Sequence, residues 1–111
     1  MSISTYTEEL TSGAVGSVTA DITNVNGILR SIVIIPDSTA APSANYDIAV
    51  SLDGVSIYSN TALSATNPLL TIPSFGGTTS NFLYPISGQL RVVGTNMGAS
   101  KKTKIIIRTE D

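Results

Sequence analysis

Tyr46-Asp47-Ile48-Ala49-Val50-Ser51-Leu52-Asp53-Gly54-Val55-Ser56-Ile57-Tyr58 reads as two strands joined by a tight turn. Tyr46, Ile48, Val50 and Leu52 fall on one side of an extended chain, with Asp47, Ala49 and Ser51 on the other. That period of two marks a half-buried β-strand. Asp53-Gly54 supplies the positive backbone angles of a two-residue hairpin, so Gly54 is predicted to shape the turn.

Working outward, the same alternation recurs between Gly, Pro, Asn and Asp punctuation, and no helical period competes with it. Strands are predicted over Ile3 to Glu8 and over Val15 to Thr23. Asn26-Gly27 is predicted to be a hairpin turn, with Gly27 its structural glycine. The dense run Ile28 to Ile35 then suggests a strand buried on both faces near the middle of a sheet. Pro36 ends it, and the small residues from Asp37 to Asn45 form a connecting loop. The final strands, Gly88 to Thr95 and Thr103 to Thr109, are predicted to pair with each other across a turn at Asn96-Met97-Gly98, with Gly98 its structural glycine.

Between them, residues 59–85 read as an irregular excursion, in which Asn60-Thr61-Ala62-Leu63 has the look of a helical turn. The result is an all-β chain of about 7–8 strands, an antiparallel β-sandwich or jelly-roll-like barrel. It forms one domain over residues 1–111, with a short N-terminal arm over about residues 1–12.

Composition narrows the chemistry. The 111 residues contain no His, Cys or Trp, only 13% charged residues, and 29 Ser plus Thr. Thiol nucleophiles, imidazole bases, disulfides and His/Cys metal sites are excluded outright. Net charge is −2, which offers no long-range attraction to nucleic acid. No apolar run approaches the roughly 18 residues of a membrane span, and no basic start leads into an apolar run, so no membrane partner and no secretory leader are expected.

The charges are polarised along the chain. Glu8, Glu9, Asp21, Asp37, Asp47 and Asp53 crowd the first half, whereas Arg91, Lys101, Lys102, Lys104 and Arg108 crowd the end. Solvated turn and edge charges explain this most simply; head-to-tail contact between copies is the sharper reading.

Each remaining catalytic pattern has a plainer structural explanation. A Ser/Lys pair would need a buried lysine, yet Lys101, Lys102 and Lys104 sit in or beside a turn. Paired carboxylates for sugar hydrolysis could come from Asp37, Asp47 and Asp53, but two of these belong to turns and one to a strand's polar face. The calcium-loop spacing is absent, and Gly76-Gly77 lacks the lysine and helix of a phosphate loop. No catalytic residue, metal, cofactor or small-molecule substrate is expected.

Several pieces together carry a resemblance: Gly27-Ile28-Leu29, Pro36, Ala41-Pro42, Asn45 to Gly54, Gly88-Gln89-Leu90-Arg91-Val92, and Asn96-Met97-Gly98 followed by Lys104-Ile105-Ile106-Ile107. In this order the chain resembles the small virion proteins of tailed bacteriophages, the capsid decoration or cement type among them. The resemblance implies a non-enzymatic protein on the outer surface of a phage head, made in the host cytoplasm. It implies the major capsid protein as partner and self-association as a dimer or trimer. A tail- or baseplate-associated subunit and a carbohydrate-binding host-recognition module are the alternatives. Partner contacts are expected from Ile3, Tyr6 and Leu10 in the arm, and from Leu69, Leu70, Ile72, Phe75, Phe82 and Tyr84 in the excursion.

Overall fold

The computed structural model describes residues 2–71 and 84–110. Seven strands follow in order: β1 (Ile3–Thr11), β2 (Val18–Pro36), β3 (Tyr46–Leu52), β4 (Val55–Leu63), β5 (Leu69–Thr71), β6 (Tyr84–Thr95) and β7 (Lys102–Glu110). All pairings are antiparallel in one sheet of order β1-β7-β2-β6-β3-β4, with β5 also beside β2. The fold is all-β and sandwich-like.

The 19-residue β2 organises it. Its first part, from Val18 to Leu29, pairs with β6, and its last part, from Ile28 to Pro36, pairs with β7. Between Ile22 and Val25 it takes three steps while β6 takes two from Leu90 to Gly88, so one extra residue is inserted; Asn24, at φ 58°, absorbs it. Between Leu29 and Ser31 a second extra residue, Arg30, faces the single step from Thr109 to Arg108. Each bulge moves the inward side chains to the other parity. The core-facing series therefore runs Ala20, Ile22, then Val25 and Leu29, then Ile32 and Ile34.

Bulged strands of this kind turn sheet corners. One leaf holds β1, β7, the end of β2 and β5; the other holds the start of β2, β6, β3 and β4. The two leaves share a core of Leu10, Leu29, Ile32, Ile34, Tyr46, Ile48, Val50, Leu90, Val92, Met97, Ile105 and Ile107, with others. Side-chain bonds cross between strands that are not sheet neighbours. Tyr46 of β3 meets Thr103 of β7 at 3.1 Å, and Thr71 of β5 donates to Tyr58 of β4 at 3.4 Å.

Several local expectations change. Asn26-Gly27 is not a hairpin: both residues lie inside β2, Gly27 at φ 116° opposite Ile86 of β6. β6 and β7 do not pair with each other but flank β2 on opposite sides, because β2 supplies enough length for both. Ile28 to Ile35 is not buried on both faces, since Val33 and Ile35 stay half-exposed while Ile32 and Ile34 are buried. Asn60 to Leu63 is strand, with Ala62 at φ 64°, and not a helical turn. The part of the expected excursion over residues 72–83 lies outside the described residues.

The Asp53-Gly54 hairpin is present, with Leu52 facing Val55 across two residues at φ 52° and 82°. Gly98, at φ 85°, lies in the connection between β6 and β7. There Ser12 bridges: its hydroxyl donates to the Gly98 carbonyl and accepts from the Lys101 amide at 2.9 Å.

Candidate functional site

The expected N-terminal arm is β1, which is part of the sheet. It pairs with β7 over nine consecutive positions, from Ile3 opposite Glu110 to Thr11 opposite Lys102, without a register shift. Leu10 points into the core and is fully buried, so it is not available to a partner. Tyr6 packs against the same core, and its hydroxyl accepts from the Asn26 amide at 3.2 Å. Ile3, by contrast, is 55% exposed.

Of the second group, Leu70 is 60% exposed and Leu69 packs against the core. Tyr84 begins β6 opposite Leu29. Ile72, Phe75 and Phe82 lie outside the described residues. Among the described residues the expected contacts divide between core and surface, and the exposed Ile3 and Leu70 sit on opposite borders of one leaf.

Among the described residues β1 pairs with β7 alone, and its other edge has a defined hydrogen-bonding pattern. In an antiparallel ladder, alternate residues turn both amide and carbonyl to the same neighbour. The Asp37 amide donates to the Lys102 carbonyl at 3.1 Å, extending the β2–β7 ladder, so the even-numbered residues of β7 bond to β2. Its odd-numbered residues must then bond to β1. The Ser12 amide donating to the Lys101 carbonyl at 2.8 Å independently gives the same parity. In β1, therefore, Ser4, Tyr6, Glu8 and Leu10 bond to β7. Ile3, Thr5, Thr7, Glu9 and Thr11 present their amides and carbonyls to the open side.

Other borders of the sheet are interrupted. β4 carries two extra residues relative to β3, at the shifts between Tyr46 and Ile48 and between Val50 and Ser51. On the early part of β2, the polar groups of Asn26 are taken by Tyr6 and by the Thr109 hydroxyl, which donates to its carbonyl at 2.8 Å. Bulges, short strands and inward-pointing charges are among the ways sheets block unwanted pairing. β1 is nine residues long and has no bulge, but it carries an inward-pointing charge.

Glu8 is the anomaly on this strand. It shares the inward parity with Tyr6 and Leu10, lies opposite the buried Ile105, and is half-buried. Among the described residues it makes no hydrogen bond or ion pair. The sequence carries the signal, a carboxylate on the apolar parity of an alternating strand, but it becomes visible only once β1 is known to be an edge.

Three ion pairs join other charges among the described residues. Antiparallel pairing sets the acidic first strand against the basic last one, with Lys102 3.9 Å from Glu9, while Arg30 of β2 lies 2.7 Å from Glu110 of β7. Arg91 meets Asp21 at 3.0 Å. Polarity along the chain thus becomes local pairing in space.

Open hollows on the surface of the described residues include two with charged linings. One, of about 400 Å³, is lined by Ser51, Asp53, Gly54, Gln89 and Arg91. The Arg91 hydrogen bond holds the Asp21 carboxyl below its usual range and raises the guanidinium in turn. The other, of about 300 Å³, includes Glu9, Asp37, Lys102 and Lys104. Asp37 accepts from the amides of Ala40 at 2.6 Å and Thr39 at 3.0 Å, which lower its pKa.

Asp47 ties strands together, accepting from Asn96 at 2.7 Å and from Thr95 at 3.3 Å. The carboxylates weighed for sugar hydrolysis are thus a turn cap, a strand tie and, for Asp53, a hairpin residue. Among the described residues, no group of three or more acidic, His or Cys side chains could hold a metal ion.

No protein-family model matches the chain, and no curated protein matches it in sequence. Among solved structures it is similar to FLHE, at 10% identity and a TM-score of 0.53, with all of both chains covered. It is also similar to PliG of Aeromonas hydrophila, a periplasmic inhibitor of g-type lysozyme, at 10% identity and a TM-score of 0.47, over 95% of this chain and 83% of that one. At these identities the likeness concerns the fold. Neither structure is a virion protein, and this finding overturns the expected capsid decoration function, its tail-associated and carbohydrate-binding alternatives, and the phage-head location.

Proposed function

We propose that this chain is a non-catalytic protein-docking domain whose working surface is the free edge of β1, which takes an extended segment of a partner protein as an added strand. The observation that carries this reading is the unbroken register of β1, with five outward-facing backbone positions, in a sheet whose β4 border is twice bulged. Strand addition draws its affinity from main-chain hydrogen bonds and its specificity from alternate side chains, so it needs no reactive group. Of the carboxylates weighed for catalysis, Asp37 and Asp47 are held by hydrogen bonds of the fold, which supports a role that needs no reactive group.

The test is amide hydrogen exchange on the full chain with an excess of nine-residue synthetic peptides of alternating Thr and Val that carry a central Lys, Gln or Glu. Slowed exchange at Thr5, Thr7 and Glu9, and its loss in Thr7→Pro, is the expected result. Proline at position 7 removes an outward donor and no bond to β7, so the sheet should survive. Exchange at these three amides that no peptide slows would refute the proposal.

A further inference from the structure

We infer that the strand accepted by β1 is cationic, with a Lys or Arg placed opposite Glu8. This rests on the docking role proposed for the β1 edge and goes on to name the partner's chemistry. Glu8 stands between Tyr6 and the fully buried Leu10 on the inward side of the strand. Its neighbour on β7 is Ile105, at 0% exposure. No cation among the described residues reaches it: the three ion pairs use Glu9, Asp21 and Glu110.

An added strand would cover the side of Glu8 that now faces water. A neutral strand would then enclose an ionised carboxylate without a partner, which is costly. Inward-pointing charges on edge strands repel arbitrary strands for this reason. A Lys or Arg at the facing position turns the same cost into an attraction, so Glu8 both rejects and selects.

Geometry favours a close contact. Glu8 bonds to β7 through its backbone, so it would occupy a non-hydrogen-bonded position of the new ladder, where facing side chains approach most closely. Residues two before and two after the cation would then face Tyr6 and Leu10, which asks for apolar or small side chains there. Glu9, on the outer face, already sits across from Lys104 and 3.9 Å from Lys102, so it adds little to the choice. A second copy of β1 fits less well, because it brings Glu8 and Glu9 but no cation.

The experiment uses the full chain and three nine-residue peptides of alternating Thr and Val, differing only in a central Lys, Gln or Glu. Binding is read by fluorescence anisotropy at low salt. The Lys peptide should bind about tenfold tighter than the Glu peptide, with Gln between, and the gap should shrink as salt is added. Glu8→Gln should level the three, and Glu8→Lys should invert their order. A ranking that survives both substitutions, equal binding of all three to the unaltered chain, or a sedimenting β1-linked dimer that persists in Glu8→Lys would overturn the inference. Equal binding with β1 amides still protected would leave the docking edge standing, whereas no protection by any peptide would remove the edge itself.

Discussion

Removing the phenol oxygen of Tyr46 should separate the two leaves energetically. Tyr46 is fully buried, and its hydroxyl lies 3.1 Å from the Thr103 hydroxyl, which lies 3.2 Å from the Ile35 carbonyl. Thr103 donates to that carbonyl, so Tyr46 donates to Thr103, and a relay runs from β3 through β7 to β2. Tyr46→Phe deletes one donor and leaves Thr103 its own acceptor, a loss of about 1 kcal/mol. Thr103→Val strands a buried phenol without a partner and should cost more, about 1–3 kcal/mol. In the double variant no phenol is stranded, so the combined loss should fall short of the sum by about 1 kcal/mol.

Urea unfolding of the four proteins at constant m-value reads these numbers directly. A pH series adds a second readout. Burial, outweighing the Thr103 hydrogen bond, raises the Tyr46 pKa above its ordinary value of 10.0. Above that pH the unfolded chain releases a proton that the folded chain retains, so stability falls with rising pH until the folded value is passed. Tyr46→Phe should flatten this alkaline slope. Additive losses across the cycle would refute the relay, and an unchanged slope would refute the effect of burial on the phenol.

Leu10→Ala should cost about 2–5 kcal/mol and Ile3→Ala less than about 0.5 kcal/mol by urea unfolding, because only the former empties core volume. Gly54→Val should cost about 1–2 kcal/mol: an added Cβ meets nothing within 4 Å, so the loss is the strain of φ 82° alone, and an unchanged thermal midpoint would contradict it. Gly54→Asn should be milder. At Asp37 the amides of Ala40 and Thr39 lower the carboxyl pKa below 3.8, so the folded chain holds fewer protons. Its contribution is present above the ordinary carboxylate pKa and is lost as pH falls through the folded one. Asp37→Asn should reduce the acid-side slope in a stability series from about pH 5 to pH 2.

Local signals carried far in this chain. The alternation from Tyr46 to Leu52 and the Asp53-Gly54 turn depend on neighbours in sequence, and both appear as read. Asn26-Gly27 carries the same turn chemistry, yet Gly27 uses its positive φ inside a continuing strand. A glycine or asparagine permits a left-handed backbone; whether the chain reverses there depends on what pairs with it.

The amino-acid sequence by itself determined the all-β character, the absence of His and Cys chemistry, and the hairpin of β3 and β4. Only the tertiary structure decided that β2 bends through two bulges to serve both leaves, that β6 and β7 stand on either side of it, and that Leu10 is core while β1 is an open edge. The reason is physical: backbone hydrogen bonds are the same for every residue, so which strands meet is fixed by packing over long chain separations. Glu8 shows the division most clearly, its carboxylate and parity legible in the sequence, its exposure on an edge created by the fold.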